Sequence, residues 1–252
     1  MKELTSKAIN KVEKDGFASL FVSGPPYMFK ITKREFQIRL NRLYSDVNEP
    51  RKKIYVNPKD IEYYRPSLFS GSYRNHFGKI KEGEWDKERY PIEEHHKYKA
   101  CKQRAEGKSW EETGIIDHMV GRLENSDGDA IEHGCESRKD FLRLYNNKRE
   151  NLFQSMKSNG FNEELSDVCC RVHISRDGEL ILASGGRHRL FFAKILEVKE
   201  IPVRVLWRHQ QWQSIREEIK SANKYSDLSE RARKHVGHPD LQDFVPDNWP
   251  YT

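Results

Sequence analysis

The stretch that most constrains the fold is residues 179–196. Residues 179–183 favour strand, Gly185 and Gly186 interrupt them, and an apolar run then continues to Leu196. A strand that passes through two glycines into a helix sets a helix N-terminus at a strand end. The glycines allow backbone conformations barred to residues with a Cβ. The first helical turn offers N–H groups without intrahelical acceptors and a partial positive charge. Arg187 and Arg189 add planar donors suited to phosphate oxygens. The pattern predicts an anion site made by Gly185, Gly186, Arg187, His188 and Arg189. A tight turn with solvated arginines is the alternative reading of the same residues.

Charge supports the first reading. The 252-residue chain carries a net charge of +6, and residues 187–208 hold six bases against two acids, so four of those six charges sit around the glycine turn. Arg204, Arg208 and His209 extend the basic stripe and suit a nucleotide tail or a nucleic-acid backbone; an ordinary exposed face is the plainer reading. A modest net charge permits such partners without demanding one. Charged residues make up 33% of the chain and aromatics 11%, which predicts a soluble protein with a core built on rings. No run approaches the roughly 20 apolar residues of a membrane helix, and the polar N-terminus does not read as a signal peptide. Cys101, Cys135, Cys169 and Cys170 show no Cys-x-x-Cys spacing. They read as reduced thiols of a cytoplasmic protein with no membrane partner.

Along the chain, residues 1–50 read as a leader with one helix behind a capping box at Thr32–Glu35. Residues 51–70 supply a first strand that Pro58 ends. Residues 71–165 read as helical. A helix over 92–106 stops at Gly107, and a capping box at Ser109–Glu112 leads to Ile115, Ile116 and Met119. Ser137 caps the longest helix, which ends at Gly160. In residues 166–222, Val172 and Ile174 alternate with polar neighbours, and Arg176-Asp177-Gly178 turns the chain into a hairpin. A buried helix, a strand over 201–207 and a helix over 210–222 follow. Residues 223–252 read as a loose polar tail containing His238-Pro239-Asp240.

Two segments resemble a known family. Residues 177–207, "DGELILASGGRHRLFFAKILEVKEIPVRVLW", resemble the ParB/sulfiredoxin-like fold, in which a hairpin leads to a Gly-x-x-Arg box, a helix and an "IPV" strand. Residues 54–66, "IYVNPKDIEYYRP", resemble that fold's first strand and turn. The resemblance covers about 45 residues and implies an α+β core, a small mixed sheet with helices, interrupted by a large α-helical insertion over 71–165. It implies that the box binds a nucleoside triphosphate or diphosphate (ATP, ADP or CTP) with Mg²⁺. Activities in the family include nucleotide-dependent reduction of sulfinic cysteine, phosphorylation of free serine, CTP-gated DNA clamping and nuclease action. Three departures bear on the choice. Arg187 stands where sulfiredoxins carry their cysteine. The 44 residues after Arg208 are too few for the helix-turn-helix and dimer module of chromosome-partitioning ParB proteins. Arg65 falls where the serine kinases place a glutamate.

The resulting expectation is a nucleotide-dependent phosphotransferase or NTPase acting on a small-molecule acceptor, with weak, non-specific nucleic-acid binding at most. A nucleotide-gated DNA-contacting or nuclease protein and a non-catalytic scaffold are the alternatives. Gly185, Gly186, Arg187, His188, Arg189 and Arg204 would hold the nucleotide. Asp60, Glu62 and Asp86 are the carboxylates for holding Mg²⁺ or taking the acceptor's proton. Turn residues carrying solvated charge are the plainer reading of these acids. His188 suits either an acid–base role or a packed position under the hairpin. Trp85, Tyr63 or Tyr64 would stack a base, or belong to the core. His95, His96, His118, His133 and Cys135 lack the spacing of a structural zinc site, and none is expected.

Overall fold

The computed structural model describes residues 53–65, 78–125, 132–162, 170–183 and 185–250. The expected leader, its capping box, Cys169 and Ser184 lie outside the described residues. The chain divides into two compact units, residues 1–51 with 69–79 and residues 52–68 with 80–252. The second carries every element discussed below apart from Lys79, the first residue of β3.

This unit is a mixed α+β structure on a seven-stranded mixed sheet. The strands are β1 (Lys53–Val56), β2 (Tyr63–Tyr64), β3 (Lys79–Lys81), β4 (Tyr90–Pro91), β5 (Cys170–Ile174), β6 (Leu180–Leu182) and β7 (Ile201–His209). Their order is β1-β7-β5-β6-β2-β4, with β3 pairing β7 beside this path. β5 and β6 form the expected hairpin, Val172 opposite Leu182 and Ile174 opposite Leu180. β7 runs parallel to β5, and β2 runs parallel to β6 with Tyr64 opposite Leu182. Those parallel pairings give the sheet two distinct ends. One holds the hairpin turn and the C-termini of β5 and β7. The other holds the C-termini of β2 and β6 and the start of β5, where the chain enters the glycine turn.

The helices are α1 (His96–Ala105), α2 (Ile115–Glu124), α3 (Arg138–Arg143), α4 (Glu150–Asn159), α5 (Arg187–Ile195), α6 (Gln210–Ser221) and α7 (Glu230–Arg233). α5 is apolar almost all round because it is covered on both sides: Leu190, Phe191, Phe192 and Ala193 are fully buried. Tyr98 of α1 meets Phe191 edge-on at 5.5 Å, and Phe153 of α4 meets Phe192 at 5.1 Å. Burying Leu190 and the two phenylalanines contributes about 1.5–3 kcal/mol each. The helices of the 71–165 segment thus form a cover over the box helix.

The segment 71–165, expected to be helical, also gives the sheet β3 and β4, and the helix expected over 92–106 is a 3₁₀ turn at Ile92–Glu94 followed by α1 from His96. Two capping signals also act differently from expectation. Ser109 and Glu112 do make a reciprocal capping box, but it closes a turn, and the helix starts later, at Ile115 behind Gly114 with φ 72°. Ser137 caps α3 by accepting the Asp140 N–H, yet between α3 and α4 residues Leu144–Arg149 form a π-helix. The expected loose tail is the larger correction. Leu228, Val236, Leu241, Val245 and Trp249 are buried, and Asp240 with them. They cover α6, whose Trp212, Ile215 and Ile219 face inward.

Candidate functional site

The glycine turn has the geometry its sequence implies, for reasons rooted in packing. Gly185 and Gly186 have φ of 89° and 68°, the left-handed region that strains other residues. A Cβ on Gly185 would strike the guanidinium of Arg171, and one on Gly186 would stand 2.7 Å from Cα of Cys170. The turn therefore lies flat against the start of β5, and α5 begins at Arg187 with Gly186 as its N-cap. Among the described residues no side chain caps α5, so its first turn keeps N–H groups without intrahelical acceptors and their partial charge.

Arg187 stands at this N-terminus, half-buried. Among the described residues its guanidinium has no hydrogen bond or ion pair. Burial lowers its pKa, partly offset by the field of Glu132. His188, one residue on, is buried, and its Nε2 has no hydrogen-bond partner. Burial and the neighbouring Arg149 hold its pKa well below the ordinary value, so the imidazole is neutral. Its ring meets Tyr145 edge-on at 5.8 Å, and the Tyr145 hydroxyl is also buried without a partner.

The 71–165 cover brings its own charges to this end. Glu132 accepts from Lys97 of α1 and, at 2.7 Å, from Arg149 of the π-helix. Burial raises the pKa of Glu132, but Lys97 outweighs it and keeps the carboxylate ionised. Lys97 and Arg149 are 6% and 7% exposed, so these are buried charges. With Arg187 they make three cations around one carboxylate. Tyr64 and His95 meet edge-on at 4.6 Å beside them. Sequence reasoning missed Lys97, Glu132 and Arg149. The available signal was a cation on an apolar stripe: Lys97 lies four residues before Cys101, and Arg149 four after Tyr145 and four before Phe153.

Arg204 lies across from Lys53 on β1 and beside Arg171 on β5, a basic row leading toward Gly185. Arg189 is half-buried in the first turn of α5. Two other members of the expected basic stripe serve the fold instead. Lys194 donates to the carbonyls of Pro58, Lys59 and Ile61 at 2.9–3.2 Å, closing the 3₁₀ turn after β1. Arg208 is buried against Asp240, bonding it through Nε at 2.8 Å and through Nη2. Arg216 and Trp212 add bonds of 2.7 and 3.0 Å to the same carboxylate, whose pKa burial raises but Arg208 and Arg216 bring to about 2.

The three expected carboxylates stand at the hairpin end. Asp60 and Glu62 are exposed and line a hollow of about 280 Å³ with Asp177, Gly178, Glu179 and His238. Asp86 is 3% exposed and fully engaged: it accepts from the Arg176 backbone N–H at 3.1 Å, from Nε at 2.8 Å and from Nη2 at 2.7 Å. Burial raises its pKa, but the Arg176 bonds bring it to about 2. Trp85 packs with His173 and Trp207 near this end, and Tyr63 lies under the Arg89 guanidinium. Arg65, at the box end, pairs with Glu88 at 2.7 Å. Among the described residues no group of three or more His, Cys, Asp and Glu is placed to hold a metal ion. The structure thus brings together the glycines, Arg187, His188 and Arg189, and does not bring the acids to them.

Compared with family models, with curated proteins and with solved structures, the chain finds no match. Among the described residues no helix is long and apolar enough to cross a membrane.

Proposed function

We propose that this protein binds a phosphate-bearing small molecule, a nucleotide by the class its resemblance implies, at the N-terminus of α5 in a ParB/sulfiredoxin-like core. One observation carries the reading: Arg187 stands half-buried at a helix start behind two left-handed glycines, and among the described residues no carboxylate is bonded to it and no side chain caps the helix. A desolvated cation without an anion is costly, and a bound phosphate would supply one. The α5 amides would take two phosphate oxygens and the Arg187 fork would close on the others.

Binding is favoured over phosphoryl transfer. Transfer needs carboxylates to hold Mg²⁺ beside the phosphate. Asp60, Glu62 and Asp86 lie at the hairpin end, and Glu132 at the box end is bonded to Lys97 and Arg149. The residues do not fit Mg²⁺, and no catalytic step is built on it.

Calorimetric titration with phosphate, ADP, ATP and CTP tests the reading. Arg187→Ala should weaken the best ligand by about 1.5–3 kcal/mol, the range for charge-assisted hydrogen bonds. Equal affinity of the wild type and Arg187→Ala would remove the site assignment.

A further inference from the structure

Three imidazoles from the helical cover line up beside Arg187. His95 at the N-cap of α1, His96 in its first turn and His118 of α2 stack with centroids 4.5 and 4.0 Å apart, tilted by 31° and 32°. His95 is buried, His96 half-buried and His118 exposed, so the stack runs from the protein interior to solvent. Its inner end touches Tyr64 of β2 and, at 5.2 Å, Phe191 of α5.

The groups facing the stack are mostly cations. Arg187 comes from α5, Lys97 from α1 and Arg122 from α2. His188 is a neutral neighbour on α5, and Arg149 and Glu132 lie behind it. Glu132 is engaged by Lys97 and Arg149, and Glu94 bears on Tyr64. Asp117, adjacent to His118, is held by Arg138. The two rings next to Arg187 differ in what a proton would do. His95 Nδ1 accepts the Lys97 N–H at 3.1 Å, so protonation there would break the α1 cap. His96 Nε2 is buried with no partner, and His118 has open access to water.

We propose that the site takes a dianionic oxyanion together with one proton, and that the proton is held at the His96–His118 end of the stack. The proposal rests on the phosphate-site reading above. Burial does most to keep the rings neutral and the cations add to it; a dianion against Arg187 turns that added field at His96 from repulsive to attractive. A proton from solvent then adds to an imidazole nitrogen with no other bond made or broken. Burial and the nearby cations lower the pKa of His96 to about 3, and burial and Arg122 lower that of His118, so without a ligand both are neutral near neutrality. Linkage is reciprocal: a ligand that favours protonation binds more tightly as pH falls, up to tenfold per pH unit for one full proton. A monoanion reverses the field less and takes up less.

Sulfate is the probe, because it has no proton of its own to exchange near neutrality. Calorimetry of the full chain with sulfate at pH 6, in buffers of different ionisation heat, should show uptake of about half to one proton and affinity rising roughly 3–10-fold from pH 7 to pH 6. His118→Asn, at an exposed position, and His96→Asn should each cut the uptake and flatten the pH dependence. Sulfate binding with a heat independent of buffer overturns the proposal and leaves the phosphate site standing. Undiminished uptake in both variants overturns the assignment to the stack. Failure of both sulfate and phosphate to bind removes the site itself, and the proposal with it.

Discussion

The two ends of the sheet treat charge in opposite ways. At the hairpin end Arg176 closes on Asp86, and Arg208 and Arg216 share Asp240. These pairs join distant segments: Asp86 ties the loop before β4 to the hairpin turn, and Asp240 ties the C-terminal segment to β7 and α6. At the box end Lys97 and Arg149 share Glu132, and among the described residues no acid is bonded to Arg187. Closed pairs of this kind fix a fold. A buried cation left without a partner costs stability, and a ligand is one way to recover it.

Acid titration should separate the buried imidazoles, which sit mostly at the box end, from the paired carboxylates of the hairpin end, with His238 at the hairpin end, lowered to about 4 by burial, titrating among the imidazoles. His95 and His188 are buried and neutral when folded, with pKa values below those of the unfolded chain. Their contribution is complete above about pH 6.5 and falls as pH drops, by up to about 1.4 kcal/mol per pH unit for each ring. Asp86 and Asp240, lowered to about 2, contribute fully above about pH 4 and lose that contribution between about pH 4 and 2. Denaturant midpoints measured across pH should therefore fall in two stages. A flat profile down to pH 4 would dissolve the distinction.

Next in size is Asp240→Ala. It leaves Arg208 and Arg216 buried without their carboxylate and should cost about 3–5 kcal/mol in urea unfolding. A loss below about 1 kcal/mol would mean the hairpin end is not held by this pair.

Arg187→Met should have the smallest effect on the unliganded protein. Replacing an unpartnered, half-buried cation with an apolar chain should leave stability unchanged or raise it by up to about 1 kcal/mol in anion-free buffer. A loss above about 2 kcal/mol would make Arg187 a structural residue like Arg208.

What was legible follows the range of the signal. The hairpin turn, the glycine pair, α5 and β7 are written in contiguous residues, and each forms as its local chemistry dictates. The boundary of α2 was misjudged because a capping box closes a turn as readily as a helix. The charge cluster was missed because Lys97 and Glu132 are 35 residues apart, and Glu132 and Arg149 17 apart. No periodicity marks such pairs. The tail was misread although its apolar residues recur at every fourth or fifth position, at Leu228, Ala232, Val236, Leu241, Val245 and Trp249. The polar residues between them hid that spacing. Asp60 and Glu62 were expected near the box because the end of the first strand faces it in the resembled fold, but β2 runs parallel to β6, which puts the start of β2 beside the hairpin turn.

The π-helix over Leu144–Arg149 ties the site to the length of the chain. Such a segment arises where a helix holds one residue more than an α-helix would. Here it lets Tyr145 approach His188 and Arg149 reach Glu132 while Phe153 still packs on α5. The wider turn absorbs that extra residue and keeps the helix beyond it facing the core; one residue lost on either side of the segment would instead turn everything beyond by about 100°, one residue's share of a 3.6-residue turn. Composition and hydrophobicity would barely change, yet Arg149 and Phe153 would together turn away from Glu132 and Phe192. For this part of the chain the residue count is itself an inherited trait, as exacting as any side chain it carries.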